Sequence, residues 1–143
     1  MHITGSCHCR NITFALDWNP EPTEIPARAC TCSFCTRHGN VWTANPAGSL
    51  RIAIKDPARV SMYAFGTQVA RFHVCATCGV VPVVTSEIDG KRYAVVNVNT
   101  FENVDPALLR HTSATFDGET EQERLARQKR NWIGNVSYEG TTP

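Results

Sequence analysis

Three tight cysteine clusters limit what this chain can fold into more than any other feature. They read Cys7-His8-Cys9, Cys30-Thr31-Cys32-Ser33-Phe34-Cys35 and Cys75-Ala76-Thr77-Cys78-Gly79. Thiolates this close in sequence can grip one metal ion at little loop-closure cost. Zinc takes four ligands in a tetrahedral structural site, and three plus an open position in a catalytic one. The 7 cysteines divide into a set of four and a set of three. That division predicts one closed zinc site and one open site, and chemistry belongs at the open one.

Other uses of cysteine fit less well. A disulfide scaffold needs an oxidising compartment. The opening Met1-His2-Ile3-Thr4-Gly5 has no basic segment followed by an apolar run, so it reads as no signal peptide and the chain as a cytoplasmic, reduced protein. An odd cysteine count leaves one thiol over, and Cys7 and Cys9 are poorly spaced to bridge each other. A redox Cys-x-x-Cys at Cys75 and Cys78 stands as an alternative.

A length of 143 residues fits one domain, a zinc-binding β unit over the whole chain with a helical tail from about residue 119. No stretch approaches the ~18 apolar residues of a membrane span. A net charge of +1 lacks the basic footprint of a general nucleic-acid binder. Neither a nucleic-acid nor a membrane partner is therefore expected.

The apolar pattern is mainly β. Residues 11–16, 41–44 and 50–54 read as strands, the last with Leu50, Ile52 and Ile54 on one face. Residues 60–65 and 68–74 flank Gly66-Thr67 as a hairpin. Residues 80–88 and 91–98 flank Asp89-Gly90, a stronger hairpin signal because that pair accepts the positive φ of a type I′ turn. Pro82 predicts an edge or a bulge for its strand. Helix is scarce. Asp105-Pro106 can open a short turn, and Thr120-Glu121-Gln122-Glu123 resembles a capping box before a Glu/Arg-rich segment. That segment reads as a solvated helix with i,i+4 pairs, or as a basic contact for an anionic partner through Arg124, Arg127, Lys129 and Arg130. Leu125 and Trp132 can dock it on the sheet. Residues 112–120 read as the most exposed connection.

Cys75, Cys78 and Gly79 form a zinc-knuckle pattern that supplies two ligands and needs two more, with Cys7 and Cys9 the obvious donors. Cys30, Cys32 and Cys35 can occupy one face of a tetrahedron and leave a corner for water, a thiol or a carbonyl oxygen. His38 lies three residues after Cys35 and could close that corner as a Cys₃His set. His73 reads as a residue packed in its strand. Arg10 and Arg37 sit beside the clusters as charge-balancing or carboxylate-binding groups. No Gly-x-Ser-x-Gly elbow, phosphate loop or paired carboxylate suggests hydrolase chemistry.

The motifs Gly5-Ser6-Cys7-His8-Cys9, Cys30-Thr31-Cys32-Ser33-Phe34-Cys35 and Phe72-His73-Val74-Cys75-Ala76-Thr77-Cys78-Gly79, with Asn97-Val98-Asn99-Thr100-Phe101, resemble the glutathione-dependent formaldehyde-activating enzymes, or S-(hydroxymethyl)glutathione synthases. That family shares a domain with centromere protein V. The resemblance implies antiparallel β-sheets in a tent-like arrangement around zinc. It implies a structural zinc on Cys7, Cys9, Cys75 and Cys78, and a catalytic zinc on Cys30, Cys32 and Cys35. It also implies a carbon–sulfur lyase that adds the glutathione thiol to formaldehyde to give S-(hydroxymethyl)glutathione. A non-catalytic, zinc-stapled module that carries a thiol or binds a protein is the alternative.

Overall fold

The computed structural model describes residues 1–140 and 142–143. Eleven strands form two sheets. The first holds β1 (His2–Ser6), β2 (Ile12–Asp17), β5 (Ser49–Ile54) and β11 (Asn135–Glu139), in the order β1-β2-β5-β11. The second holds β3 (Ile25–Cys30), β4 (Val41–Thr43), β6 (Val60–Tyr63), β7 (Arg71–Cys75), β8 (Val83–Ile88), β9 (Lys91–Asn97) and β10 (Leu109–Ala114), in the order β10-β3-β4-β9-β8-β7-β6.

Alternation fixes the faces of both sheets, because directly opposed residues share a side. In the smaller sheet, Ile3 opposes Leu16, Leu16 opposes Leu50, and Phe14 opposes Ile52. All five are buried and form its inner face. That face meets the back of the larger sheet, where Ala27, His73, Val83 and Val96 are fully buried. Tyr138 of β11 spans the junction by donating its hydroxyl to Nε2 of His73. His73 Nδ1 donates to the Arg71 carbonyl at 3.1 Å, so the ring is the neutral Nδ1-protonated tautomer. Burial of this ring pulls its pKa down to about 4.

Both hairpins form. Asp89 and Gly90 take φ of 51° and 78° and join β8 to β9 in register. The turn between β6 and β7 is longer than Gly66-Thr67 alone, because pairing begins only at Tyr63 and Phe72. Pro82 is neither on an edge nor at a bulge: β8 starts one residue later and lies inside the sheet, with the Pro82 carbonyl accepting from Asn97 N at 2.9 Å. The sheets are mixed rather than wholly antiparallel. β10 runs parallel to β3, and β11 parallel to β5. The expected exposed connection at 112–120 is thus partly strand, since Thr112, Ser113 and Ala114 pair with Arg28, Ala29 and Cys30.

Among the described residues there are two α-helices, α1 (Ser33–His38) and α2 (Glu121–Asn131). The capping box forms as expected, with Thr120 Oγ1 accepting from Glu123 N at 3.1 Å. Trp132 and Ile133 are buried behind the helix, and Ile133 bridges to Ala94 of β9. The α2 arginines are held differently from the i,i+4 expectation. Glu119, before the helix, takes Arg127 in a bidentate pair at 2.9 and 3.1 Å, with Arg124 Nε at 3.4 Å. Among the described residues no helix is long and apolar enough to cross a membrane.

Candidate functional site

The cysteines gather into the two expected groups. Sulfurs of Cys7, Cys9, Cys75 and Cys78 lie within 4.8 Å of one another, and so do those of Cys30, Cys32 and Cys35. In the first group Cys7–Cys9 is 3.8 Å and Cys9–Cys75 is 3.5 Å. A tetrahedron with metal–sulfur bonds of about 2.3 Å has sulfur–sulfur edges of about 3.8 Å. The donor set therefore fits a thiolate-bound metal.

Local backbone geometry builds this group. Cys7 leaves the end of β1, and its turn back into β2 is closed by Cys7 N to the Ile12 carbonyl at 2.9 Å. Gly5 lies two residues earlier, with no room for a side chain: a Cβ there would sit 2.2 Å from Phe14 Cζ. Cys75 ends β7, and Gly79, at φ +82°, folds its amide onto the Cys75 carbonyl at 2.8 Å. Amides also point at the sulfurs: Ile12 N to Cys7 Sγ at 3.3 Å, and Cys78 N to Cys75 Sγ at 3.5 Å. Burial pushes the Cys7 thiol up to about 12. Burial also opposes ionisation of Cys78, but the Val80 and Cys9 amides and the Cys75 and Cys7 thiols outweigh it and hold Cys78 at about 6. Arg10 is tied to Glu102 beside the group. His8 is exposed.

The second group is built on α1. Cys30 ends β3, Cys32 caps the helix with its sulfur accepting from Cys35 N at 3.3 Å, and Cys35 is buried one turn on. Trp42 Nε1 donates to Cys35 Sγ at 3.3 Å. Asn97 and Asn99 anchor the far end of the helix: Asn97 Nδ2 reaches Asn40 Oδ1 at 3.1 Å, and Asn99 Nδ2 reaches the Gly39 carbonyl at 2.9 Å. Hydrogen bonding from the Cys35 thiol draws Cys30 down to about 6, against its own burial, while the same contact and burial drive Cys35 upward. His38 does not join the sulfurs. It is exposed, with its ring against Phe34 at 4.6 Å between centroids.

What separates the two groups is a bordering cleft. Cys30, Cys32 and Cys35 border a cleft of about 1210 Å³; none of the other four cysteines does. The strand register explains this cleft. Thr112 opposes Arg28, Arg28 opposes Trp42, Val84 opposes Val95, and Phe72 opposes Val84. These residues share the outer face of the larger sheet, and α2 and the segment around Phe116 stand over it. Arg127 lies over the Phe116 ring at 3.7 Å, fixing that segment to the helix. Sequence reasoning missed Trp42, Arg28 and Gln128 as cleft residues; each is brought in by strand pairing or helix docking, which leaves no local mark.

Fold and site together define a mixed-sheet β protein with two cysteine-built groups able to hold metal ions, one of them opening on a cleft. Residues 2–117 match the glutathione-dependent formaldehyde-activating enzyme family, and the chain belongs to that family. Among solved structures it is similar to a Rhodobacter sphaeroides protein determined as a structural-genomics target, at 27% identity and a TM-score of 0.57, over 76% of this chain and 99% of that one. No curated protein matches it.

Proposed function

We propose that this chain, as one zinc-stapled β domain in a reducing cytoplasm, is a carbon–sulfur lyase that adds a glutathione-type thiol to formaldehyde, giving S-(hydroxymethyl)glutathione. The observation that carries the reading is the placing of the Cys30–Cys32–Cys35 group, with no histidine among its sulfurs, on a cleft of about 1210 Å³. Cys7, Cys9, Cys75 and Cys78 are the proposed ligands of a structural zinc, away from that cleft. Cys30, Cys32 and Cys35 are the proposed ligands of a second, catalytic zinc.

Zinc held by three thiolates would lower the pKa of a thiol at its fourth position. The remaining work falls to the chain. The cleft holds thiol and aldehyde side by side and turns a bimolecular encounter into a positioned one. The apolar floor of Trp42, Phe72, Val84 and Val95 keeps water from competing for the aldehyde carbon. The sulfur lone pair forms the C–S bond, the carbonyl π pair moves to oxygen, and that oxygen takes up the proton the thiol gave away. Trp42 Nε1–H and Cys35 N–H donate to the ligand sulfurs and hold the group's shape.

Exchange spectroscopy of glutathione with formaldehyde tests the reading. Zinc-loaded protein should accelerate exchange above the spontaneous rate, and Cys32→Ser should abolish the acceleration. Exchange unchanged by the wild-type protein would favour a non-catalytic module that carries a thiol or binds a protein.

A further inference from the structure

Gln128 lies on α2 with 1% of its surface exposed, and it borders the same cleft as Cys30, Cys32 and Cys35. Neither its Oε1 nor its Nε2 has a partner within the protein. Buried amides are nearly always paired, because an unpaired donor or acceptor gives up water for nothing. The rest of the helix offers no reason for a glutamine here. Leu125 packs on the core and Trp132 is buried, so an apolar residue would suit the inward face. Of the neighbouring charges on this wall, Arg127 is held by Glu119 in a bidentate pair, while Arg124 Nε lies 3.4 Å from Glu119 without a hydrogen bond; on Gln128 both amide atoms are unpartnered.

A carboxamide offers one acceptor and two donors in a plane, the complement of a peptide N–H and C=O. We infer that Gln128 reads a peptide-type amide of the thiol substrate, accepting from the amide N–H at Oε1 and donating to the amide carbonyl from Nε2, while the substrate sulfur occupies the Cys30–Cys32–Cys35 corner. This rests on the proposed thiol–aldehyde reading and narrows it: amide-bearing thiols are selected over small ones. The position lies on the C-terminal helix, beyond residues 2–117, the stretch matched to the family. Gln128 acts on specificity, not on the reacting atoms.

Calorimetric titration of the zinc-loaded protein tests it, with glutathione and mercaptoethanol as probes. Gln128→Leu should weaken glutathione binding by about thirtyfold, the size of two lost net hydrogen bonds, and leave mercaptoethanol unchanged. Its thermal midpoint should equal or exceed that of wild type, since the orphan amide is gone. Gln128→Met, closer in shape, should behave alike and serves if the leucine variant does not fold. Wild-type glutathione affinity in the variants, or an equal loss for both probes, would overturn the inference. If mercaptoethanol binds the wild type and glutathione binds no tighter, the inference falls and the thiol reading stands. If neither thiol binds the wild type, both fall.

Discussion

The indole Nε1 of Trp42 donates to the sulfur of Cys35 at 3.3 Å, tying the floor of the cleft to one of its three thiols. A sulfur that accepts such a bond carries negative charge more readily. Trp42→Phe keeps most of the ring and removes the donor. The variant should fold, and zinc affinity at Cys30, Cys32 and Cys35 should drop by roughly tenfold or more, as for other outer partners of metal ligands. Competition against a chromophoric chelator measures this; equal affinities would refute the role given to Trp42.

The two cysteine groups should also differ in what they hold together. Cys9 and Cys75 are 66 positions apart, so metal there would close a long loop and contribute to folding itself. Cys30 to Cys35 spans one strand end and one helical turn. Cys78→Ser should therefore abolish or sharply lower the thermal transition, and Cys32→Ser should leave it near wild type. Metal analysis should find two zinc ions per chain, one removed by mild chelation and one retained. Similar midpoints for the two variants would contradict this division.

Gly5→Ala is expected to destabilise the chain by roughly 1–3 kcal/mol, the usual cost of overpacking a core. The new methyl meets the Phe14 ring, which is itself 3% exposed and edge-on to Phe101 at 6.2 Å. Urea denaturation of the zinc-loaded proteins gives the difference, and an unchanged midpoint would show that the ring can yield.

His73 gives a pH dependence with a defined sign. Its folded pKa, about 4, lies below the ordinary histidine value of about 6.5. Between these values the unfolded chain binds the extra proton and the folded chain does not. Stability therefore falls as pH drops through this window, by up to roughly 3 kcal/mol from this residue, and none of that loss accrues above about pH 7. Acid also releases zinc, so the measurement is the difference between wild type and His73→Asn at matched metal loading. Parallel pH profiles would exclude the histidine as a source.

Much of the site was legible because its determinants are local. Ligand spacing suggested the division into four and three, the family resemblance paired Cys7 and Cys9 with Cys75 and Cys78, and Asp89-Gly90 and the Thr120–Glu123 box fixed a hairpin and a helix start. What escaped was set by partners remote in sequence. β3 carries Pro26 and small residues, and β10 reads Leu109-Arg110-His111-Thr112-Ser113-Ala114, mostly polar; each is a strand because the other lies beside it. α1 is too short for a periodic signal. The orphaned amide of Gln128 looks in sequence like any glutamine on a charged helix, and only docking buries it.

The 66-residue gap between Cys9 and Cys75 also sets a sequence of events on the ribosome. Cys30, Cys32 and Cys35 emerge together and form a complete donor set while the downstream half of the chain is still unmade. The distant four cannot meet until Cys78 has left the exit tunnel. With both groups taking metal as proposed, a nascent chain would offer its open trio to the cell's metal pool first, before the clasp built from the distant four could shut.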